Sequence, residues 1–211
     1  VTALADAIVQ LRIDLDDQDP TAYRWTDAEL TEHLNHALAV LSAELPLDAK
    51  NTLTTTAGSR DISIATLTPR VAVRAVEYPV GDYPPIYVDF SVWLNTLTML
   101  IDDAPSAIAN LYVYWLTHHT LATTTTLDAG QLQLLLTGAA GYAAAALASS
   151  TTGVFSMAGP HAGKDLAAMS NRLLRDFRAT LRRKGLSGQL RTGRLYSPAE
   201  PAATQDTDPG P

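Results

Sequence analysis

The chain has 211 residues, 46% of them apolar but only 7% aromatic, and it carries no cysteine. That length suits one domain with its own core, and the missing cysteine excludes disulfides, thiolate metal sites and cysteine nucleophiles. A formal net charge of −7 argues against a protein that grips duplex DNA over a broad positive face.

The charge is unevenly placed. Residues 1–48 hold ten acids against Arg12 and Arg24, while residues 172–194 hold eight bases against Asp176 alone. An acidic start and a basic end can meet head to tail, within one subunit or between neighbours. In chain order, Leu4, Ile8, Leu11 and Leu15 recur at spacings of four, three and four, which predicts a short amphipathic helix over about 3–15. No basic leader precedes it and Asp14, Asp16 and Asp17 follow at once, so it does not read as a signal peptide. "DLDDQDP" then breaks the helix. Thr26 and Glu29 form a capping box, with Trp25 and Leu30 at the staple positions, and open a second helix over about 26–45. Its apolar stripe is Leu30, Leu34, Leu38, Leu41 and Leu45, and Pro46 ends it.

Alternation replaces helical periodicity after Pro46. "TLTTTAGSRDISIAT" predicts two short strands around Gly58-Ser59, with Ile62 and Ile64 on one face. "RVAVRAVEYP" predicts a third strand in which Val71 and Val73 alternate. "IYVDFSVW", "LNTLTMLI" and "ANLYVYWLT" complete a small antiparallel sheet over about 51–118. Helix resumes over about 129–149. From Asp128 to Lys164 there is no charged residue between, and the centre of the stretch reads "TGAAGYAAAALASSTTG". Leu132 to Ala148 is nearly long enough to span a bilayer. Gln133, Thr137, Gly138 and Gly141 and the weakly apolar alanines instead predict a tightly packed helix, with no membrane partner. A large residue at Ala144 or Ala145 is expected to overpack it. The last helix, about 162–184, places Leu166, Met169, Leu173, Phe177 and Leu181 on one stripe and ends at Gly185.

No constellation in this sequence carries enzymatic chemistry, and no cofactor or metal is expected. Glu32 and His36 lie four apart on a helix, with His33 beside them, but no third ligand or zincin-type motif accompanies them. His118 and His119 are adjacent at a strand end and point to opposite faces. Asp102 and Asp103 read as turn residues. Gly138 and Gly141 lie inside a helix and match no phosphate-loop pattern. Arg175, Arg178 and Arg182 recur at helical spacing, a pattern suited to a protein contact in an otherwise acidic chain.

These elements predict an α+β, mainly helical fold. A four-helix-type bundle spans residues 1–185 with the small sheet inserted, and residues 186–211 form an extended tail. The order of "RWTDAELTEHLNHALAVLSAELP", "RVAVRAVEYPVGDYPPIYVDFSVWLNTLTML", "LYVYWLTHHTL" and "LLLTGAAGYAAAALA" resembles the head-to-tail connector (adaptor, or head-completion) proteins of tailed bacteriophages, over roughly residues 4–185. The resemblance implies a homo-oligomeric ring, usually dodecameric, beneath the portal in the virion neck, assembled in the host cytoplasm. The tail would grip the portal protein, and the inserted sheet would face neighbours or the next tail or stopper component. Contacts between subunits or with the portal are then expected of Arg175, Arg178, Arg182, Arg191, Arg194 and Tyr196. Double-stranded DNA would pass through without sequence-specific binding. An acidic lumen lets phosphates slide, so some of Asp14, Asp16, Asp17 and Asp19, or Asp102 and Asp103, are expected to line the channel. The rival reading is a protein- or nucleic-acid-binding module that acts as a monomer or dimer.

Overall fold

A computed structural model describes residues 2–151 and 162–188. Arg191, Arg194, Tyr196 and all but the first three residues of the expected tail, 186–211, lie outside the described residues, as does most of the loop before the last helix.

Local signals start the helices. Thr2 caps α1 (Ala3–Asp14) by accepting the Ala5 amide at 3.3 Å. α2 (Asp27–Glu44) opens on the full capping box. The Thr26 hydroxyl accepts from the Glu29 amide, and the Glu29 carboxylate accepts from the Thr26 amide at 2.7 Å. Trp25, just before it, is buried. α3 (Ala129–Thr151) begins on a reciprocal pair of the same kind, Asp128 accepting the Gln131 amide and Gln131 the Asp128 amide. α4 (Ala162–Gly188) completes the set. It runs through Gly185, which therefore does not terminate it; a side chain there would come within 3.2 Å of the Glu44 carbonyl.

α3 packs against α1, α2 and α4. Its small residues set how closely. A Cβ on Gly138 would lie 2.9 Å from the Phe177 ring, and one on Gly141 would lie 2.9 Å from Leu174. The Gly141 carbonyl accepts the buried Ser170 hydroxyl at 2.9 Å. Of the expected α4 stripe, Phe177 and Leu181 are buried and Leu173 partly so, whereas Met169 is 44% exposed. Ala129–Ser150 is long and apolar enough to cross a membrane by length and composition, and half of its most apolar window is buried against the rest of the chain.

Between α2 and α3 lie seven strands in two antiparallel sheets. β1 (Leu47–Thr54), β3 (Arg70–Glu77), β4 (Tyr87–Val88) and β7 (Asn110–Thr117) form one, in the order β1-β7-β3-β4. β2 (Asp61–Ser63), β5 (Phe90–Trp93) and β6 (Thr96–Met99) form the other, in the order β2-β6-β5. Ile62, Leu97 and Met99 from the smaller sheet meet Val76, Leu111, Val113 and Trp115 from the larger in one apolar cluster, closed by Ile64 and Leu67. The first and last strands pair along their whole length, Leu47 opposite Thr117, so the chain leaves and re-enters the helical part at one place. The His119 amide donates to the buried Ser42 hydroxyl of α2 at 3.1 Å and pins that junction.

The expected mainly helical four-helix bundle with a minor sheet is therefore corrected to a mixed α+β fold, with four helices and two antiparallel sheets among the described residues. The reason is energetic. The insertion buries its own set of large apolar side chains between two sheets instead of lying as an appendage on the helices. The two strands expected around Gly58 are present, but they do not share the single sheet expected of them. Gly58 turns the chain at φ +75°, but β1 joins one sheet and β2 the other. In β3, register shifts between Arg70 and Ala72 and between Val73 and Ala75 break the simple alternation. Val71 is consequently 43% exposed while Val76 is fully buried.

Candidate functional surfaces

Three surfaces stand out once the fold is known. The first is the corner between α1 and α2. Arg12, itself buried, donates to Asp17 at 2.6 Å, to Asp27 at 2.7 Å and to the Trp25 carbonyl at 2.9 Å. Its guanidinium also lies 3.7 Å from the centre of the Tyr23 ring. Asp17 is 4% exposed and accepts the Arg24 amide as well, so its charge is neutralised inside the fold and is not presented to a channel. Asp14, Asp16 and Asp19 are exposed around it. The Thr21 hydroxyl and amide hold the Asp19 carboxyl below its usual range. Asp102 and Asp103 are exposed in a separate place, the loop after β6, where Arg60 donates to the Ile101 and Asp102 carbonyls.

The second surface is the outer face of α4. Arg172, Arg175, Arg178 and Arg182 follow at intervals of three, three and four and share one side of the helix. All four are exposed, with Arg183 beside them, and among the described residues none of these five makes an ion pair. Arg178 and Arg182 border a shallow depression of about 270 Å³ with Val40, Glu44 and Leu181.

The third is the tip of the β5–β6 hairpin, which the sequence reading did not single out. Trp93 pairs with Thr96, leaving Leu94 and Asn95 as the turn. Leu94 has φ +53°, a conformation in which two-residue hairpin turns ordinarily place Gly or Asn. Trp93 is 79% and Leu94 90% exposed. The turn is held rather than loose, because Arg70 donates to the Leu94 carbonyl at 2.7 Å and to the Ile64 carbonyl at 2.8 Å. The only advance signal was a Leu where the turn geometry favours Gly.

The remaining candidates have structural surroundings. His36 stacks on Tyr142 of α3 with ring centroids 3.9 Å apart. Burial holds the His33 imidazole below its ordinary value, against the pull of Glu29. His118 is exposed and His119 buried, with its Nδ1 3.1 Å from the Thr126 hydroxyl. On the outer face of the larger sheet, Glu77 accepts the Tyr114 hydroxyl at 2.6 Å and raises the phenol's pKa above its usual value, while the Lys50 ammonium lies 3.5 Å from the Tyr112 ring centre. Compared with known proteins, the chain matches no protein-family model and no curated protein.

Proposed function

We propose that this chain is a non-enzymatic structural subunit of a bacteriophage neck, a head-to-tail adaptor that closes into a ring beneath the portal, extends the DNA channel and receives the tail. The helical part is the ring-building body, and the hairpin tip of the insertion meets the downstream tail or stopper protein. The basic face of α4 serves contacts between subunits or with the portal, and duplex DNA passes through without sequence-specific binding. The chain acts in the virion and assembles there from the host cytoplasm.

The observation that carries this reading is the Trp93–Leu94 tip. Two large apolar side chains stand in solvent on a turn pinned by Arg70, at a backbone conformation that disfavours leucine. Strain retained at an exposed apolar point supports a role in contact, and Trp is the residue most enriched at the energetic centre of interfaces. Leu94→Gly removes the strain, so the variant is expected to gain about 1 kcal/mol and roughly 2–4 °C in Tm. Particles built with Leu94→Gly and Trp93→Ala together should nevertheless join tails at least tenfold less efficiently. Normal joining by the double variant would overturn the assignment. A second reading, a nucleic-acid-binding module acting as a monomer or dimer, is favoured by one observation, the run of exposed arginines on α4. It requires strong duplex affinity that falls steeply with salt.

A further inference from the structure

We infer that the arginine face of α4 docks on the acidic α1–α2 corner of a second copy of this chain, head to tail. The inference deepens the ring reading by naming the surfaces that meet, and it can fail separately from that reading.

Among the described residues, both surfaces carry exposed charges that form no ion pair. At the corner, Arg12 neutralises Asp17 and contacts Asp27, and the same bonds draw the end of α1, the loop and the start of α2 into one compact unit. Asp14, Asp16, Asp19 and Glu29 remain exposed around it, with Arg24 as the nearby exposed base in sequence. On α4, Arg172, Arg175, Arg178, Arg182 and Arg183 are exposed and unpaired among the described residues, with Asp176 as the one acid between them.

The two surfaces do not compensate each other within one subunit. α1 and α4 both pack on α3 but share no substantial contact. α4 approaches α2 beside Val40 and Glu44, at the C-terminal end of that helix, whereas the corner lies at its N-terminal end. From Asp27 to Glu44, at 1.5 Å per residue, is roughly 25 Å. Arg178 and Arg182, beside Val40 and Glu44, therefore lie more than a screening length from the corner. Opposite charges on unlike surfaces of one chain make a heterologous contact, and repetition of such a contact generates a closed ring or an open filament. Duplex DNA is the competing occupant of the arginine face; the chain's net charge of −7, which repels DNA as a whole, and its own exposed acidic corner favour a second copy.

The test uses the full chain in two charge-reversed forms, one carrying Arg175→Glu and Arg178→Glu, the other Asp16→Lys and Asp19→Lys. Sedimentation velocity at low salt should show wild-type self-association that weakens as salt rises. Each variant alone should associate at least roughly a hundredfold more weakly, since like charges then face each other. An equimolar mixture should recover assembly, because each interface again joins opposite charges. Circular dichroism and Tm matched to wild type establish that both variants fold; all these altered side chains are on the surface. Three results overturn the inference: no salt-dependent association of the wild type, variants that assemble normally, or folded variants whose mixture does not recover. Duplex binding by the wild type that the arginine variant loses, without self-association, would assign the face to DNA instead. Rings formed equally by wild type and variants would sink this contact and leave the adaptor reading standing. Recovery in the mixture with no ring in the particle would do the reverse.

Discussion

Replacing Arg12 with methionine is expected to destabilise the chain by about 3–5 kcal/mol, the range for removing one partner of a buried ion pair. The magnitude comes from Asp17, whose side chain is 2% exposed and would keep its charge without its counter-ion. The Asp27 bond adds little, since that carboxylate is 75% exposed and well solvated. For a chain of this length the loss corresponds to roughly 6–20 °C in Tm. Asp17→Asn in the same chain should recover more than half of it, because the amide oxygen still accepts from Arg24 and no buried charge remains. Thermal or denaturant unfolding of both variants provides the check. A loss below about 1 kcal/mol for Arg12→Met would show that the corner is not organised by this pair.

The second large effect is expected at Gly138. Any side chain there meets the Phe177 ring at 2.9 Å, and Phe177 is fully buried with no solvent to swing into. Gly138→Leu should cost about 3 kcal/mol from overpacking, or roughly 6–12 °C in Tm. Gly138→Ala should cost less, because the clash is offset by about 1 kcal/mol of helix propensity. Combining Gly138→Ala with Phe177→Leu opens the space, and the pair should show a coupling of at least about 1 kcal/mol in a double-mutant cycle. Independent, additive effects would mean that α3 and α4 do not meet at this contact.

The helices were legible because their signals are local. Thr26 and Glu29 satisfy each other within four residues, and the Leu30–Leu41 stripe follows the helical period without help from elsewhere. The uncharged segment around Gly138 and Gly141 was read correctly as a packed helix, since small residues and absent charge constrain what can surround them. The insertion was legible as strands but not as two sheets. Strand identity shows in alternation, whereas partnership is set by long-range pairing that joins Leu47 to Thr117 across seventy residues. β3 also misled, because its register shifts move burial from Val71 to Val76 and Glu77.

For the candidate surfaces, sequence spacing placed Arg175, Arg178 and Arg182 on one exposed face, and the structure agrees on that placement. Asp17 was grouped with its acidic neighbours, because nothing local reveals that Arg12 reaches across five residues to bury it. The hairpin tip was invisible for a related reason. A Trp-Leu pair reads as core until the backbone angle and the exposure show that it faces outward.

The central claim, that this chain forms a ring at the junction of head and tail, is tested most directly by electron cryomicroscopy of native particles. The account predicts a closed ring of copies of this chain between portal and tail, with the α4 arginines against the α1–α2 corner of the next copy and the Trp93–Leu94 tip in contact with the component below. Particles whose neck density contains no copy of this chain would contradict it.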